Sequence, residues 1–214
     1  MWRSLYGAGS GLFIALCVAI QYWLLVRGEA PAAIIPSSIR FLSFFTILTN
    51  VLAAAALVIP VVAPRSRAGR FLARPSVRTA IAGYIIMVGV VYYLLLTNIS
   101  GRHGWELTLE RTLHYLTPPL FVLDWILFVD KRALTWRVGA SGLAFPLIYL
   151  GWLLAYGAVS GWYPYPFIDA AELGYGRVIV NSIGLIACFL ALEAALVAAG
   201  RLIERVGTST TPAR

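Results

Sequence analysis

Two hydroxyls and an amide stand close to the start of a long apolar run, at Ser43, Thr46 and Asn50. Their spacing of i, i+3 and i+7 predicts that they share one face of a helix. Polar side chains inside a membrane-spanning helix are costly, so each needs either a partner or a function. A hydroxyl becomes a nucleophile when a base lies within hydrogen-bond reach, which makes this face a candidate for chemistry.

The base that such a hydroxyl needs is supplied by His114, near the start of a later apolar run. Thr117 follows one helical turn later, and Asp124 follows ten residues later, which is about 15 Å along a helix axis. That separation is too large for Asp124 to orient His114 unless the helix is distorted. Pro118 and Pro119 predict a kink here, because neither can donate a backbone hydrogen bond to the preceding turn.

Each of these polar residues also has a purely structural interpretation. Serine and threonine in membrane helices often bond to the carbonyl four residues back, and they also support close helix packing. Asn50 fits a bridge between helices, because its amide both donates and accepts. Asp124 is expected to pair with Glu193, or either acid with an arginine or asparagine. A buried histidine is rare enough in lipid to favour a functional role for His114.

The composition of the 214 residues is that of a membrane protein, with 60% hydrophobic and 12% charged residues. Soluble domains are typically about 45–50% apolar and about 25% charged. The net charge of +8 does not indicate nucleic-acid binding, because the basic residues lie between the apolar runs, where they determine membrane topology. The length suits a single compact helix bundle.

Six apolar segments are long enough to cross a bilayer, at about 20 residues per helix. We predict an all-α, polytopic membrane bundle in one domain, residues 1–206, followed by a disordered polar tail, residues 207–214. The predicted spans are 9–26, 41–63, 78–97, 107–129, 138–157 and 177–200.

The distribution of basic residues predicts the orientation of the bundle. Most of them lie in the N-terminus, the second and fourth loops and the C-terminal tail, and few lie in the other three loops. The positive-inside rule therefore places both termini in the cytoplasm, with the protein in the plasma or inner membrane. Spans two and four then both begin on the outer side, which puts Ser43 and Thr46 at the depth of His114. A hydroxyl and an imidazole at matched depth form a minimal nucleophile–base pair.

The fifth loop is rich in aromatic residues and proline between Gly161 and Asp169, and it includes Trp162 and Tyr165. Proline stiffens such a segment, so the loop could form a rigid aromatic cap over the outer end of the bundle. Anchoring at the membrane interface alone explains the same composition equally well.

Three stretches, in this order on a six-span frame, resemble the family of androgen-induced protein 1 and the androgen-dependent TFPI-regulating protein. They are Arg40–Phe44, Leu113–Asp124 and Gly161–Phe167, and the resemblance covers nearly the whole chain. Animal members of that family are multi-pass threonine hydrolases of fatty acid esters of hydroxy fatty acids, with a membrane-embedded threonine and histidine. The resemblance therefore implies a membrane hydrolase of fatty acid esters.

The family residues map onto this chain with one departure. The family histidine matches His114, and the proline and acid that follow it match Pro119 and Asp124. The family threonine matches Ser43, so a serine stands in its place. Thr46 is a second candidate nucleophile if the alignment shifts by three residues.

The first function that these observations predict is a membrane-embedded serine- or threonine-type hydrolase of fatty acid esters. His114 would activate Ser43 or Thr46, and the oxyanion would need donors from Asn50, Tyr115 or backbone amides near the proline kink. The expected partners are the bilayer and a membrane lipid or fatty ester.

The second function is that of a non-enzymatic multi-pass membrane protein, either a small-molecule or proton-coupled carrier or a lipid-binding scaffold. His114, Asp124 and Glu193 would then form a polar track across the bundle. A haem or quinone protein is disfavoured, because His103, the only other histidine, lies in a loop. Neither function requires a cofactor, and the sequence contains no metal-ligand cluster.

Overall fold

A computed structural model of the chain describes residues 1–99, 101–132 and 134–209. This part of the chain is all-helical and contains no strands, as the composition predicts. Its α-helices are α1 (Trp2–Val26), α2 (Pro31–Leu42), α3 (Phe45–Val62), α4 (Arg67–Leu72), α5 (Pro75–Val91), α6 (Gly104–Arg111), α7 (Thr117–Phe128), α8 (Trp136–Ser141), α9 (Ala144–Ser160) and α10 (Ala170–Ser209). Two π turns, Tyr92–Leu96 and Thr112–Leu116, and a 3₁₀ turn, Pro166–Ile168, complete the helical structure.

Four of these helices are long and apolar enough to cross a membrane, namely α1, α3, α5 together with its π turn, and α10. They lie at the first, second, third and sixth predicted spans. The fourth predicted span is divided into α6, a π turn and α7, and the fifth is occupied mainly by the shorter apolar helix α9. The chain therefore has the helix lengths and composition of a membrane protein.

The second predicted span does not begin where the sequence indicated. α2 ends at Leu42, Phe44 has extended backbone angles of φ −83° and ψ 126°, and α3 begins only after it. The prediction that Ser43 shares one helical face with Thr46 and Asn50 is therefore wrong, because Ser43 belongs to the end of α2. The preceding segment, which was expected to be a loop, forms α2 instead.

Hydrogen bonds to residues far along the chain stabilise this break between α2 and α3. The Tyr149 hydroxyl donates to the Ser43 carbonyl at 2.7 Å, and the Phe45 amide donates to the Tyr165 hydroxyl at 2.9 Å. These side chains satisfy backbone groups that the interrupted helix leaves unpaired. The start of α3 is thereby fixed against α9 and the segment that follows it.

α3 and α5 form the centre of the bundle, and α1 packs along the length of α3. Two glycines of α1 allow that packing, because a Cβ atom at Gly11 would lie 2.6 Å from a valine methyl of α3 and one at Gly7 would lie 3.1 Å from a backbone oxygen. Small residues at such crossings let membrane helices approach closely. α5 also contacts α7 and α10, so it connects most of the bundle.

A buried ion pair joins α5 to α7. Arg78 donates to Asp124, and the two side chains are 4% and 2% exposed. Arg78 also donates to the Ala56 carbonyl of α3 at 3.1 Å, and Trp125 Nε1 donates to Thr79 at 2.9 Å. Of the partners expected for Asp124, the structure selects an arginine, and the expected pairing with Glu193 is wrong. Together these bonds fix α7, and with it the turn that carries the histidine, against α3 and α5.

The last helix turns at Gly174, where φ is 72°, and then continues to Ser209. It therefore includes the first three residues of the segment that was expected to be a disordered tail, residues 207–214. The remainder of that segment, residues 210–214, lies outside the described residues.

Candidate active site

His114 lies in the π turn between α6 and α7, just before the two prolines. The Thr117 amide bonds to the Thr112 carbonyl, five residues back, which is the π pattern. Proline at positions 118 and 119 cannot donate to the turn before it, so the helix there is free to widen. Single π turns are frequent at functional sites in helical proteins.

The π turn of His114 faces a second π turn at the end of α5. The ring of Tyr92 stacks on the His114 imidazole, with centroids 3.9 Å apart and planes inclined by 23°. One turn earlier on α5, Gly89 allows close approach, since a Cβ atom there would lie 3.0 Å from the His114 carbonyl oxygen. The stacked Tyr92 ring therefore fixes the plane of the imidazole, and the close backbone contact at Gly89 fixes its position.

The hydrogen bonds of His114 define its tautomer. Nδ1 lies 2.7 Å from the Glu110 carbonyl oxygen, which can only accept, so Nδ1 carries the proton of the neutral ring. Nε2 is then an acceptor, and it lies 3.0 Å from Thr46 Oγ1. The Thr46 hydroxyl therefore donates to His114, in the arrangement of a nucleophile beside a general base.

Thr46 stands in the first turn of α3, immediately after the break in the helix. The Tyr165 hydroxyl, which accepts from the Phe45 amide at 2.9 Å, lies beside it. Burial raises the pKa of Tyr165, so this phenol remains protonated and keeps a proton to donate. The nucleophile candidate is thus placed next to helix N-terminal amides and a phenol, both of which favour negative charge.

Ser43 is not brought to His114. Its hydroxyl donates to the Ile39 carbonyl at 2.8 Å and accepts from Trp152 Nε1 at 3.0 Å. It lines a separate apolar groove, formed largely by α2 and α9. Of the two hydroxyls that the sequence offered as nucleophiles, Thr46 is the one that contacts the histidine.

Asn50 bridges two elements of the site. Its Nδ2 donates to the Thr46 carbonyl at 2.8 Å and to the Leu113 carbonyl at 3.3 Å. This bridge ties α3 to the π turn and holds Thr46 opposite His114. Because both amide protons are used by the backbone, Asn50 positions the site in this structure rather than facing the nucleophile.

The other predicted supporting residues lie at different distances from the chemistry. Tyr115 is 42% exposed, and its hydroxyl bonds to Thr97 at 3.0 Å, outside the His114 cavity. Thr117 is fully buried, and its hydroxyl has no partner among the described residues. The Asp124 carboxylate is paired with Arg78. Trp162 packs edge-on against Phe44 at 5.7 Å, so the aromatic loop covers the break before α3.

Two cavities meet at Thr46. The larger has a volume of about 220 Å³, and it contains His114 together with a set of polar side chains, namely Gln21, Tyr92, Arg102 and Glu110. The smaller has a volume of about 90 Å³ and an almost entirely apolar wall formed by α5, α9 and α10. Thr46, Leu96 and Tyr165 line both cavities. A bound molecule could therefore present a polar part on one side of the hydroxyl and an apolar part on the other.

Several residues of the site were not predicted from the sequence. Tyr92 and Glu110 were not singled out, and Gln21 was not assigned to the site. Glu110 lies four residues before His114, so its place on the same helical face was a usable signal. Tyr92 carried no such signal, because its contact with the imidazole depends on how α5 packs against α7.

No group of three or more histidine, cysteine, aspartate or glutamate side chains that could hold a metal ion occurs in the described ranges 1–99, 101–132 and 134–209. Comparisons with protein-family models, with curated proteins and with solved structures gave no significant match. The chemistry of the site therefore rests on its geometry. That geometry pairs a hydroxyl with a neutral imidazole whose second nitrogen is fixed by a backbone carbonyl.

Proposed function

We propose that this protein is a membrane-embedded hydrolase of fatty acid esters that uses Thr46 as nucleophile and His114 as general base. The observation that carries the proposal is the 3.0 Å contact between Thr46 Oγ1 and the unprotonated Nε2 of His114. The backbone carbonyl of Glu110 takes the orienting role that a carboxylate has in a Ser-His-Asp triad.

The reaction proceeds in two steps. His114 Nε2 takes the proton of Thr46, and Oγ1 attacks the ester carbonyl carbon. The bond from that carbon to the alcohol oxygen breaks, the imidazolium returns the proton to the leaving alcohol, and an acyl-threonine ester remains. Water, deprotonated by the same imidazole, attacks this ester, the bond to Oγ1 breaks, and the fatty acid is released as Thr46 regains its proton.

The oxyanion of each step needs donors beside Thr46. The Tyr165 phenol lies beside Thr46 and keeps its proton, which makes it our candidate donor to the oxyanion. The first amides of α3 add the positive end of the helix dipole. These groups replace Asn50 and Tyr115 as our oxyanion donors, because the amide of Asn50 is engaged and Tyr115 lies outside the cavity.

The proposed substrate enters from the bilayer. The small apolar cavity receives the first carbons of the acyl chain next to the carbonyl, and the rest of the chain lies along the lipid-facing surface. We propose six membrane spans, counting α6, its π turn and α7 as one span and α9 as another. Both termini would lie on the cytoplasmic side of a plasma or inner membrane. The distribution of basic residues supports this topology, and the resemblance of the three sequence stretches supports the ester substrate.

A fluorophosphonate probe tests the proposal, because it reacts with activated hydroxyl nucleophiles. The wild type is expected to be labelled, and Thr46→Val and His114→Ala are expected to abolish labelling. Ser43→Ala serves as the matched control, since it removes the other candidate hydroxyl, and it is expected to keep the label. Labelling that persists in Thr46→Val and disappears in Ser43→Ala would show that Ser43 reacts instead.

A proton-coupled carrier is the second candidate function, and one observation favours it. Glu193 is 1% exposed, and neither carboxylate oxygen has a hydrogen-bond partner in the described part of the chain. The Glu193 carboxyl group lies against Gly83 of α5, a residue without a side chain that could form a hydrogen bond with it. A buried carboxyl in a membrane helix is a candidate proton site. Proton-dependent uptake in proteoliposomes that Glu193→Gln abolishes would establish this function, and unchanged uptake would exclude Glu193 from it.

A further inference from the structure

The polar end of the larger cavity contains groups that the reaction at Thr46 does not use. Gln21, Glu110 and Tyr92 are 9%, 6% and 1% exposed, and all three line the cavity. Gln21 Oε1, Glu110 Oε2 and Tyr92 Oη make no hydrogen bond of good geometry within the described residues, although the Tyr92 phenol interacts with the Glu110 carboxylate. Buried polar groups are nearly always satisfied in folded proteins, so these three atoms indicate a place where a ligand supplies the missing bonds.

The chemistry of these atoms restricts that ligand. A carboxamide oxygen and a carboxylate oxygen can only accept, and the phenol can both donate and accept. The ligand must therefore present hydrogen-bond donors. The charge of Glu110 is offset by Arg102, whose Nε lies 3.6 Å from Oε2. A neutral ligand with several hydroxyl groups fits this set of partners better than a cation or an anion.

We infer that these residues form the subsite for the alcohol part of the ester, and that this alcohol is a small neutral polyol such as glycerol. The inference rests on the proposed hydrolase function, and it names the substrate class as acyl polyol esters, for example monoacylglycerols. The carbonyl lies at Thr46, the acyl chain starts in the apolar cavity, and the free hydroxyls of the polyol bond to Gln21, Glu110 and Tyr92.

An ester of a long hydroxy fatty acid fits the subsite less well. Its leaving group carries a long apolar chain, which would face the unpartnered polar atoms of the cavity. Its free carboxylate would meet the carboxylate of Glu110, whose charge Arg102 offsets only from a distance of 3.6 Å. Like charges at such a distance disfavour binding.

The test compares three esters of one fatty acyl group, a monoacylglycerol, a methyl ester and an ester of a long hydroxy fatty acid. The purified full-length protein in lipid nanodiscs is expected to hydrolyse the monoacylglycerol with the highest kcat/KM. Gln21→Met and Tyr92→Phe each remove one hydrogen-bonding group at nearly constant shape. Each is expected to lower the ratio of kcat/KM for the monoacylglycerol to that for the methyl ester by roughly three- to tenfold, the loss of one hydrogen bond to a hydroxyl.

Tyr93→Phe is the matched control, because that tyrosine is 70% exposed and does not line the cavity. It is expected to leave the ratio unchanged. Hydrolysis of all three esters with ratios that Gln21→Met and Tyr92→Phe do not alter would overturn the subsite while leaving the hydrolase standing. A preference for the hydroxy fatty acid ester would also overturn it. Failure of the wild type to hydrolyse any of the three would refute the hydrolase and the subsite together.

Discussion

A substitution at Gly89 tests the site while leaving both Thr46 and His114 unchanged in sequence. A Cβ atom at this position would lie 3.0 Å from the His114 carbonyl oxygen and 3.5 Å from Pro118 Cγ. A backbone carbonyl cannot rotate away as a side chain does. Gly89→Ala must therefore move the π turn of His114 away from α5 by a few tenths of an ångström.

The size of the effect follows from the geometry of the nucleophile–base pair. His114 Nε2 lies 3.0 Å from Thr46 Oγ1, and a catalytic hydrogen bond extends to about 3.2 Å. A misplacement of about 1 Å costs about 100-fold in rate, so a shift of this smaller size is expected to slow acylation by roughly tenfold. The net cost in stability is expected to be about 0–2 kcal/mol, because an overpacking cost of about 1–3 kcal/mol is partly offset by the roughly 1 kcal/mol that alanine gains over glycine in a helix.

The assay is the rate of fluorophosphonate labelling, measured beside the thermal unfolding of the same preparation in detergent. Gly151→Ala is the matched control, since a Cβ atom at Gly151 in α9 would meet no atom within 4 Å. We expect Gly151→Ala to label at the wild-type rate and Gly89→Ala to label about tenfold more slowly while remaining folded. A folded Gly89→Ala variant that labels as fast as the control would refute the claim that this contact positions His114.

Three further predictions test the packing and the nucleophile. Arg78→Met leaves the Asp124 carboxylate buried without its partner and is expected to destabilise the fold by about 3–5 kcal/mol, seen as a lower Tm. Adding Asp124→Leu should recover most of that loss, and a double variant no more stable than the single one would contradict the pairing. Gly11→Ala is expected to cost about 1–3 kcal/mol, because its Cβ atom would lie 2.6 Å from a valine methyl, whereas Gly9→Ala has open space and should not lower Tm. Thr46→Ser keeps the hydroxyl and should retain labelling, so a Thr46→Ser variant without label would count against an alcohol nucleophile at this position.

The sequence was informative where the relevant physics is local or depends on composition. Runs of about 20 apolar residues predict membrane-length helices, because the thickness of a bilayer fixes the length that must be apolar. The same reasoning singled out His114 with Ser43 and, as the second candidate, Thr46, since polar side chains are costly in an apolar run and therefore noticeable. Pro118 and Pro119 indicated a distortion beside the histidine, and the structure has a π turn there.

The sequence was uninformative where a local feature depends on distant contacts. Nothing in the apolar stretch around Phe44 marks the end of a helix, since it contains neither glycine nor proline. The break exists because Tyr149 and Tyr165, more than a hundred residues further along the chain, bond to the backbone on either side of it. It places Ser43 directly after the last residue of α2 and Thr46 in the first turn of α3.

The amino-acid sequence by itself determined the class of this protein, a helical membrane protein, and the short set of polar residues that could do chemistry in it. Tertiary structure alone decided which hydroxyl contacts the imidazole, which nitrogen of His114 is free, and which buried side chains share the cavity. The physical reason is that helix length and polarity depend on neighbouring residues. A hydrogen bond of 3.0 Å between Thr46 and His114 depends on how α3, α5 and the π turn pack together.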